Sequence, residues 1–237
     1  MVQRLDSARK EEDRIRAAYE RRRKADPRYS WFSAGHQFTA QQRERRVLAF
    51  LQRHNSGNLE SKTILEVGCG GGQWLCDFIK WGARPENIVG IDLLTERVSR
   101  ARESCPSAVR IECASAAQLS FPDASFDLVL QSTVFTSILD VEMKQQVASE
   151  MLRVVRSDGL IVWYDCHTNN PWNPDVRGVK RREIDHLFPS CRIDLERITL
   201  FPPLARQLAP YSFLACYLLE KFPPLCTHYL GIIRKKP

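Results

Sequence analysis

The chain has 237 residues, 43% of them hydrophobic, enough to bury one substantial core, and it carries a formal net charge of +7. It holds no uninterrupted apolar run of roughly 18 residues, and its first two dozen residues are charged; the expectation is therefore a cytoplasmic protein with neither a membrane-spanning helix nor a secretory leader. Much of the positive excess sits in Arg21-Arg22-Arg23-Lys24 and Arg43/Arg45/Arg46, where a solvated helix face explains it, and no nucleic-acid-binding motif accompanies it.

Residues 3–24 read as a surface helix whose packed stripe is Leu5, Ile15, Ala18 and Tyr19. Asp26-Pro27 ends it, and an aromatic loop, Tyr29 to His36, follows. Thr39 is placed to cap a helix over about 40–54 with the apolar face Val47, Leu48, Phe50 and Leu51. From Lys62 the pattern becomes short apolar runs alternating with helical stretches, the rhythm of parallel βαβ units. The runs are Thr63–Val67, Ile88–Ile91, Val109–Ile111, Phe126–Leu130 and Leu160–Tyr164, with helices near 73–81, 95–104 and 140–155. A turn-rich loop at 169–174, a charged helix near 179–187, an apolar proline-punctuated stretch from Pro202 to Pro224 and two further strands, Arg192–Leu200 and His228–Ile233, complete the chain. The eight cysteines form no Cys-x-x-Cys pair and have no histidine at zinc spacing, so no metal site is expected and free thiols in a reducing compartment are.

The run Glu66-Val67-Gly68-Cys69-Gly70-Gly71-Gly72-Gln73 joins a predicted strand to a predicted helix. Glycines let the backbone turn sharply and approach a ligand, and a helix start offers unpaired N–H groups. A dinucleotide loop wants Gly-x-Gly-x-x-Gly, whereas the sixth position here is Gln73 and an acid stands two residues before the first glycine. The spacing Glu66-x-Gly68-x-Gly70-x-Gly72 instead resembles the first motif of class I S-adenosylmethionine-dependent methyltransferases, of the type 11-like, small-molecule biosynthetic group. The resemblance implies an α/β, Rossmann-like doubly wound sheet, mostly parallel with a C-terminal antiparallel strand, helices on both faces and an N-terminal helical lid. It also implies S-adenosyl-L-methionine as cofactor, with S-adenosyl-L-homocysteine as product. A single domain is expected, divided into a lid region (1–55), a cofactor-binding core (56–165) and an acceptor-side region with a C-terminal hairpin (166–237).

Asp92 ends the second strand about 20 residues beyond the loop, where a carboxylate either takes both ribose hydroxyls or caps the following helix. By resemblance the cofactor-binding set is Glu66, Gly68, Cys69, Gly70, Gly72, Asp92, Leu93, Ser115, Ala116 and Gln131. Ser115 stands where the family often has an Asp that takes the adenine amino group; a hydroxyl is the weaker acceptor, which shifts weight to the Ala116 backbone. Gln131, Asp165 and His167 are expected at one crevice beyond the strand ends.

Methyl transfer mainly requires donor and acceptor held in line; a hydroxyl acceptor adds a base, for which His167 and His36 are the candidates, with Asp165 orienting a histidine, acting itself or holding a turn. Tyr19, Tyr29, Trp31 and Phe32 form a lid or glue the first helix to the sheet. Phe201, Leu204, Leu208 and Phe213 receive a lipid-linked or aromatic acceptor or simply pack. A small-molecule acceptor methylated on oxygen is the leading expectation, with N- or C-methylation beside it. A nucleic-acid or protein methyltransferase, lacking an Asn-Pro-Pro-Tyr-type element after the fourth strand, and a non-catalytic binding domain stay as alternatives.

Overall fold

The computed structural model describes residues 2–21, 26–54 and 56–236, with side chains from residue 8 onward; the Leu5 side chain and the basic residues Arg22, Arg23 and Lys24 lie outside the described residues. Among these residues seven strands form one sheet: β1 (Ile64–Val67), β2 (Ile88–Asp92), β3 (Arg110–Cys113), β4 (Phe126–Ser132), β5 (Val155–Cys166), β6 (Cys191–Leu200) and β7 (Cys226–Lys235). Their spatial order is β3-β2-β1-β4-β5-β7-β6. The first five run parallel, and β7 is antiparallel to both neighbours, pairing Tyr164 with Leu230 and Leu195 with Gly231.

The central strands are apolar on both sides because both faces are covered. Leu65, Val67, Val129, Ile161 and Trp163 pack with α5 (Val141–Val154) and α6 (Arg181–Leu187) in one core cluster. The intervening positions, Ile64, Leu128, Leu130, Leu160 and Val162, pack with α2 (Ala34–Arg53), α3 (Gln73–Lys80) and α4 (Thr95–Ser104). Asp140 starts α5 by accepting the amide of Met143, as a carboxylate at an N-cap does.

Several boundaries differ from expectation for tertiary reasons. Helix α2 begins at Ala34, not near 40, because Gly35, Phe38 and Ala34 have a surface to pack on: α7 (Pro202–Leu208) and α8 (Phe213–Leu219), the two helices of the 202–224 stretch. Thr39 is thus no cap; its hydroxyl donates back to the carbonyls of Gly35 and His36 inside the helix. Leu48 points outward, while Val47, Phe50 and Leu51 are buried as expected. The first helix, α1 (Val2–Glu20), buries Ile15 and Ala18.

Sheet order reverses at β1, which lies between β2 and β4, and a ligand crevice is expected beyond the carboxyl ends there. Gly72 starts α3 with φ of +84°, and a Cβ on it would stand 2.7 Å from Cys105 Sγ and 3.3 Å from the Ala101 backbone. Gly72→Ala therefore combines left-handed strain with a clash, and urea denaturation is expected to show a loss of at least about 1–2 kcal/mol.

Candidate functional site

The bend after β1 is tied to β2 before any ligand enters. The amides of Gly68 and Cys69 both donate to Ile91 O at 2.8 Å, and Gly68 and Gly70 hold φ of +74° and +55°. Asp92, at the tip of β2, completes the junction: its Oδ2 accepts the Gly70 amide and its Oδ1 the Leu94 amide, each at 2.9 Å. Asp92 therefore does not cap α4, whose N-cap position is Leu94. An ionised carboxylate has about four acceptor positions, so two amides leave room for two further donors.

Beyond this junction lies a cleft of about 650 Å³, open solvent included. Gly68, Asp92, Leu93, Ala114, Ser115, Ala116, Ser132, Thr133 and Val134 line it from the strand ends. Thr133 sits at φ of +57°, an uncommon conformation for a β-branched residue, where the chain leaves β4. Of the expected cofactor residues, Gly68, Asp92, Leu93, Ser115 and Ala116 reach the cleft wall. Glu66, Cys69 and Gln131 are buried beneath it, and Gln131 belongs to β4 rather than to the turn beyond.

Burial, and then the nearby Asp92 carboxylate, push the Glu66 carboxyl well above its usual range. Glu66 Oε2 and Gln131 Nε2 are both buried without a hydrogen-bond partner among the described residues. On the same face of the sheet as Glu66, the Arg43 guanidinium lies 4.6 Å over the Trp74 ring and 5.8 Å over Tyr164, which stacks on His228 at 5.0 Å. Burial, followed by the neighbouring His167 ring, lowers the His228 pKa to about 3.

Helix α1 roofs the cleft, contributing Ile15 and Tyr19. On one rim Arg16 donates to Leu93 O at 2.6 Å and the Ser115 hydroxyl donates to Glu12. On the other rim Arg14 donates to Ser137 O at 2.6 Å, the Tyr19 hydroxyl meets the Ser137 hydroxyl at 3.0 Å, and Glu11 accepts the amides of Leu139 and Asp140. Arg97 lies 4.2 Å over the Tyr19 ring at the cleft wall. None of Glu12, Arg97, Val134, Ser137 or Met143 was legible as a site residue. The resemblance implies a lid in this region, but the polar, weakly patterned α1 does not show which of its residues hold the rims; its bonds do.

Of the expected lid aromatics, only Tyr19 reaches the cleft. Tyr29, Trp31 and Phe32 are exposed, the last at 99%, so they neither cover the cleft nor glue α1 to the sheet. Rings of Tyr29 and Trp31 instead stand edge-on to His36, which lies in the first turn of α2 and does not line the cleft. His167 is also outside it, buried with Nε2 3.0 Å from Cys226 O and its ring 4.5 Å from Tyr229. Burial, then the charge of Arg197, lowers the His167 pKa. Asp165 is fully buried and accepts the Thr136 amide at 3.2 Å and the Cys166 amide at 2.8 Å. The expected meeting of Gln131, Asp165 and His167 at one crevice is therefore not found; Asp165 holds the turn Phe135–Ser137 that follows β4.

This doubly wound, mostly parallel sheet, with a left-handed glycine bend after β1 and an acid at the tip of β2, is a Rossmann-like fold. Residues 65–163 match the family model described as a methyltransferase domain. The chain is 38% identical over 130 residues to a 2-methyl-6-phytyl-1,4-hydroquinone methyltransferase of Synechocystis, matching 52% of this chain and 39% of that protein. With a demethylmenaquinone methyltransferase of Bacillus licheniformis it shares 30% identity over 121 residues, 50% of this chain and 49% of the relative. The chain thus spans about half, or less, of the length of these relatives. A solved methyltransferase structure from Archaeoglobus fulgidus superposes with a TM-score of 0.57 at 18% identity, covering 84% of this chain and 98% of that one, which shows the shared fold.

Burial raises the Asp165 pKa to about 7, against the lowering effect of the amides of Thr136 and Cys166 and of Lys144. Between the unfolded value of 3.8 and about 7 the folded state keeps a proton that the unfolded chain has lost, so this group's contribution to stability falls as pH rises across that window. Asp165→Asn removes the titration. Denaturation from pH 4 to 7 is expected to show stability of the native chain, relative to the variant, declining by up to about 4 kcal/mol, and a flat difference would contradict the burial effect.

Proposed function

We propose that this chain binds S-adenosylmethionine in the cleft beyond β1, β2 and β4 and transfers its methyl group to the hydroxyl of a small aromatic acceptor of the hydroquinone class. The observation that carries the reading is the Asp92 junction, where a carboxylate already gripping the glycine bend faces the cleft. The named activities of the hydroquinone and menaquinone relatives support the acceptor class.

The residues present fit an adenosyl amino acid. Gly68 leaves a space that a Cβ would fill, since that atom would stand 2.5 Å from Val134 Cγ2. Asp92 is assigned the ribose hydroxyls, and the apolar slot of Ile15, Leu93, Ala114 and Ala116 takes a flat base. The backbone of Gly68, Cys69, Gly70 and Gly72 carries the aminoacyl end, with Glu66 and its unpaired oxygen beneath. Gln131 holds the wall of the cleft, its Oε1 accepting the Val134 amide at 3.2 Å.

The Ser115 hydroxyl donates to Glu12 and accepts the Ala117 amide, which leaves it one acceptor position. The role of the carboxylate that the family resemblance puts at position 115 we assign to Glu12 of α1, which joins the Ser115 hydroxyl at the cleft rim and would take the adenine amino group. When bound, the cofactor supplies an electrophilic methyl carbon. The chain's part is to hold the acceptor in line and exclude water: α1 closes over the cleft, and Asp165 acts as a positioning residue through the turn after β4. A phenolic hydroxyl, with a pKa of about 10, needs less help to lose its proton than an alcohol, so neither His36 nor His167 is assigned that proton. The eight free cysteines suit the reducing cytoplasm.

Calorimetry with S-adenosylhomocysteine is expected to show binding, weakened by about 1.5–3 kcal/mol in Asp92→Asn. Absence of heat at millimolar ligand would leave a non-catalytic fold. Glu12→Gln is expected to weaken the adenosyl ligand and to lose the preference over its 6-oxo analogue, because the new amide donates where the carboxylate accepted; unchanged discrimination removes Glu12 from the site. Incubation with hydroquinones should form S-adenosylhomocysteine, and mass and NMR analysis of the product separates methylation at oxygen from methylation at ring carbon.

A further inference from the structure

The surface built by the 27–32 turn, α7 and α8 breaks the rule that a helix on a protein surface is polar on its outer side. Helix α8, Phe213-Leu214-Ala215-Cys216-Tyr217-Leu218-Leu219, contains no charged residue. Its inner side packs through Cys216 and Leu219 against Phe38, Leu200 and Ala205. Its outer side presents Leu214, Tyr217 and Leu218 at 67, 44 and 59% exposure, spaced i, i+3, i+4, and Phe222 continues the stripe.

The turn carrying Tyr29, Trp31 and Phe32 belongs to the same region. Ala34 joins the core cluster beneath α7 and α8, and a Cβ on Gly35 would stand 2.7 Å from the Arg206 backbone. Between Pro202 and Pro224 the charged residues are Arg206, Glu220 and Lys221. The Glu220 side chain is 4% exposed and faces Arg45 at 3.6 Å, so its charge is not displayed. Lys221 is half-exposed and lies 4.3 Å over the Tyr217 ring. Aromatic and aliphatic side chains interleave here with Arg28, Arg45, Arg206 and Lys221 against two acids, Asp26 paired with Arg28 and the buried Glu220 shared by Arg45 and Lys221. This excess of cations matches the headgroup boundary of a bilayer. The charge fits an anionic one, toward which a chain of net charge +7 is also drawn.

We infer that this face docks on the surface of an anionic lipid bilayer, lying at the interface without crossing it. Among the described residues no helix is long and apolar enough to span a membrane. The inference deepens the functional reading, because a hydroquinone with a long apolar tail resides in such a bilayer, but the binding it asserts is measured without any reaction.

The test is flotation of the full chain with phosphatidylcholine vesicles, with and without phosphatidylglycerol. The chain should float with the anionic vesicles and markedly less with neutral ones. The double variant Leu214→Asp/Leu218→Asp should lower the bound fraction about tenfold or more while binding S-adenosylhomocysteine as the native chain does, which shows that it is folded. Should neither chain bind S-adenosylhomocysteine, the functional reading fails and the flotation result still decides the docking; the thermal transition then reports folding. No flotation of the native chain, or equal flotation of the variant, overturns the inference. So does a native dimer by light scattering that the variant abolishes while no vesicle binds, because the face would then be an interface between two copies.

Discussion

One carboxylate organises the centre of this molecule. Asp92 spans from the end of β2 to the glycine bend after β1, and its two oxygens satisfy the amides of Gly70 and Leu94. A buried carboxylate is tolerated only where donors surround it, and here the donors come from the glycine bend after β1 and from the start of the segment leading into α4. The positive φ angles of Gly68 and Gly70 are what bring those amides into reach. The cleft, its floor and its helix start follow from that junction.

The rest of the site is an enclosure assembled from remote segments. Helix α1 is held across the opening by Arg16 and Glu12 on the β2–β3 side, and by Arg14, Glu11 and Tyr19 on the side of the turn after β4. Burial pushes the Glu11 carboxyl up, but Arg14 and the amides of Leu139 and Asp140 outweigh it and leave its pKa below the ordinary value. A roof held mainly by polar contacts at its edges opens more readily than one sealed by a large apolar core, which suits a cleft that must admit its ligand. Asp165 plays the matching part from below, holding the turn that forms the opposite rim.

The C-terminal strands extend the same logic to the far edge of the sheet. Because β7 runs antiparallel between β5 and β6, its close pairing with β6 demands Gly231, where a Cβ would stand 2.3 Å from Asp194 O. The β6–β7 pair in turn carries α7 and α8, whose apolar outer side lies beside the start of α2. The sheet thus joins a cofactor-type cleft and a lipid-compatible face in one structure.

The sequence alone determined what depends on local chemistry. The Glu66–Gly72 run, the acid Asp92 and the alternating βαβ rhythm were legible because periodicity and glycine conformational freedom act over a few residues, whereas the antiparallel last strand was implied only by the family resemblance. Tertiary structure decided whatever depends on which side of a strand faces which neighbour. Gln131 and Asp165 proved to point into the core, and His167 and His36 away from the cleft, since being near a strand's carboxyl end in the sequence does not say which way a side chain projects. A lid over residues 1–55 was implied by the family resemblance, but which of its residues hold it was not: Glu12 and Ser115 are 103 residues apart, and no local pattern encodes a contact across that separation.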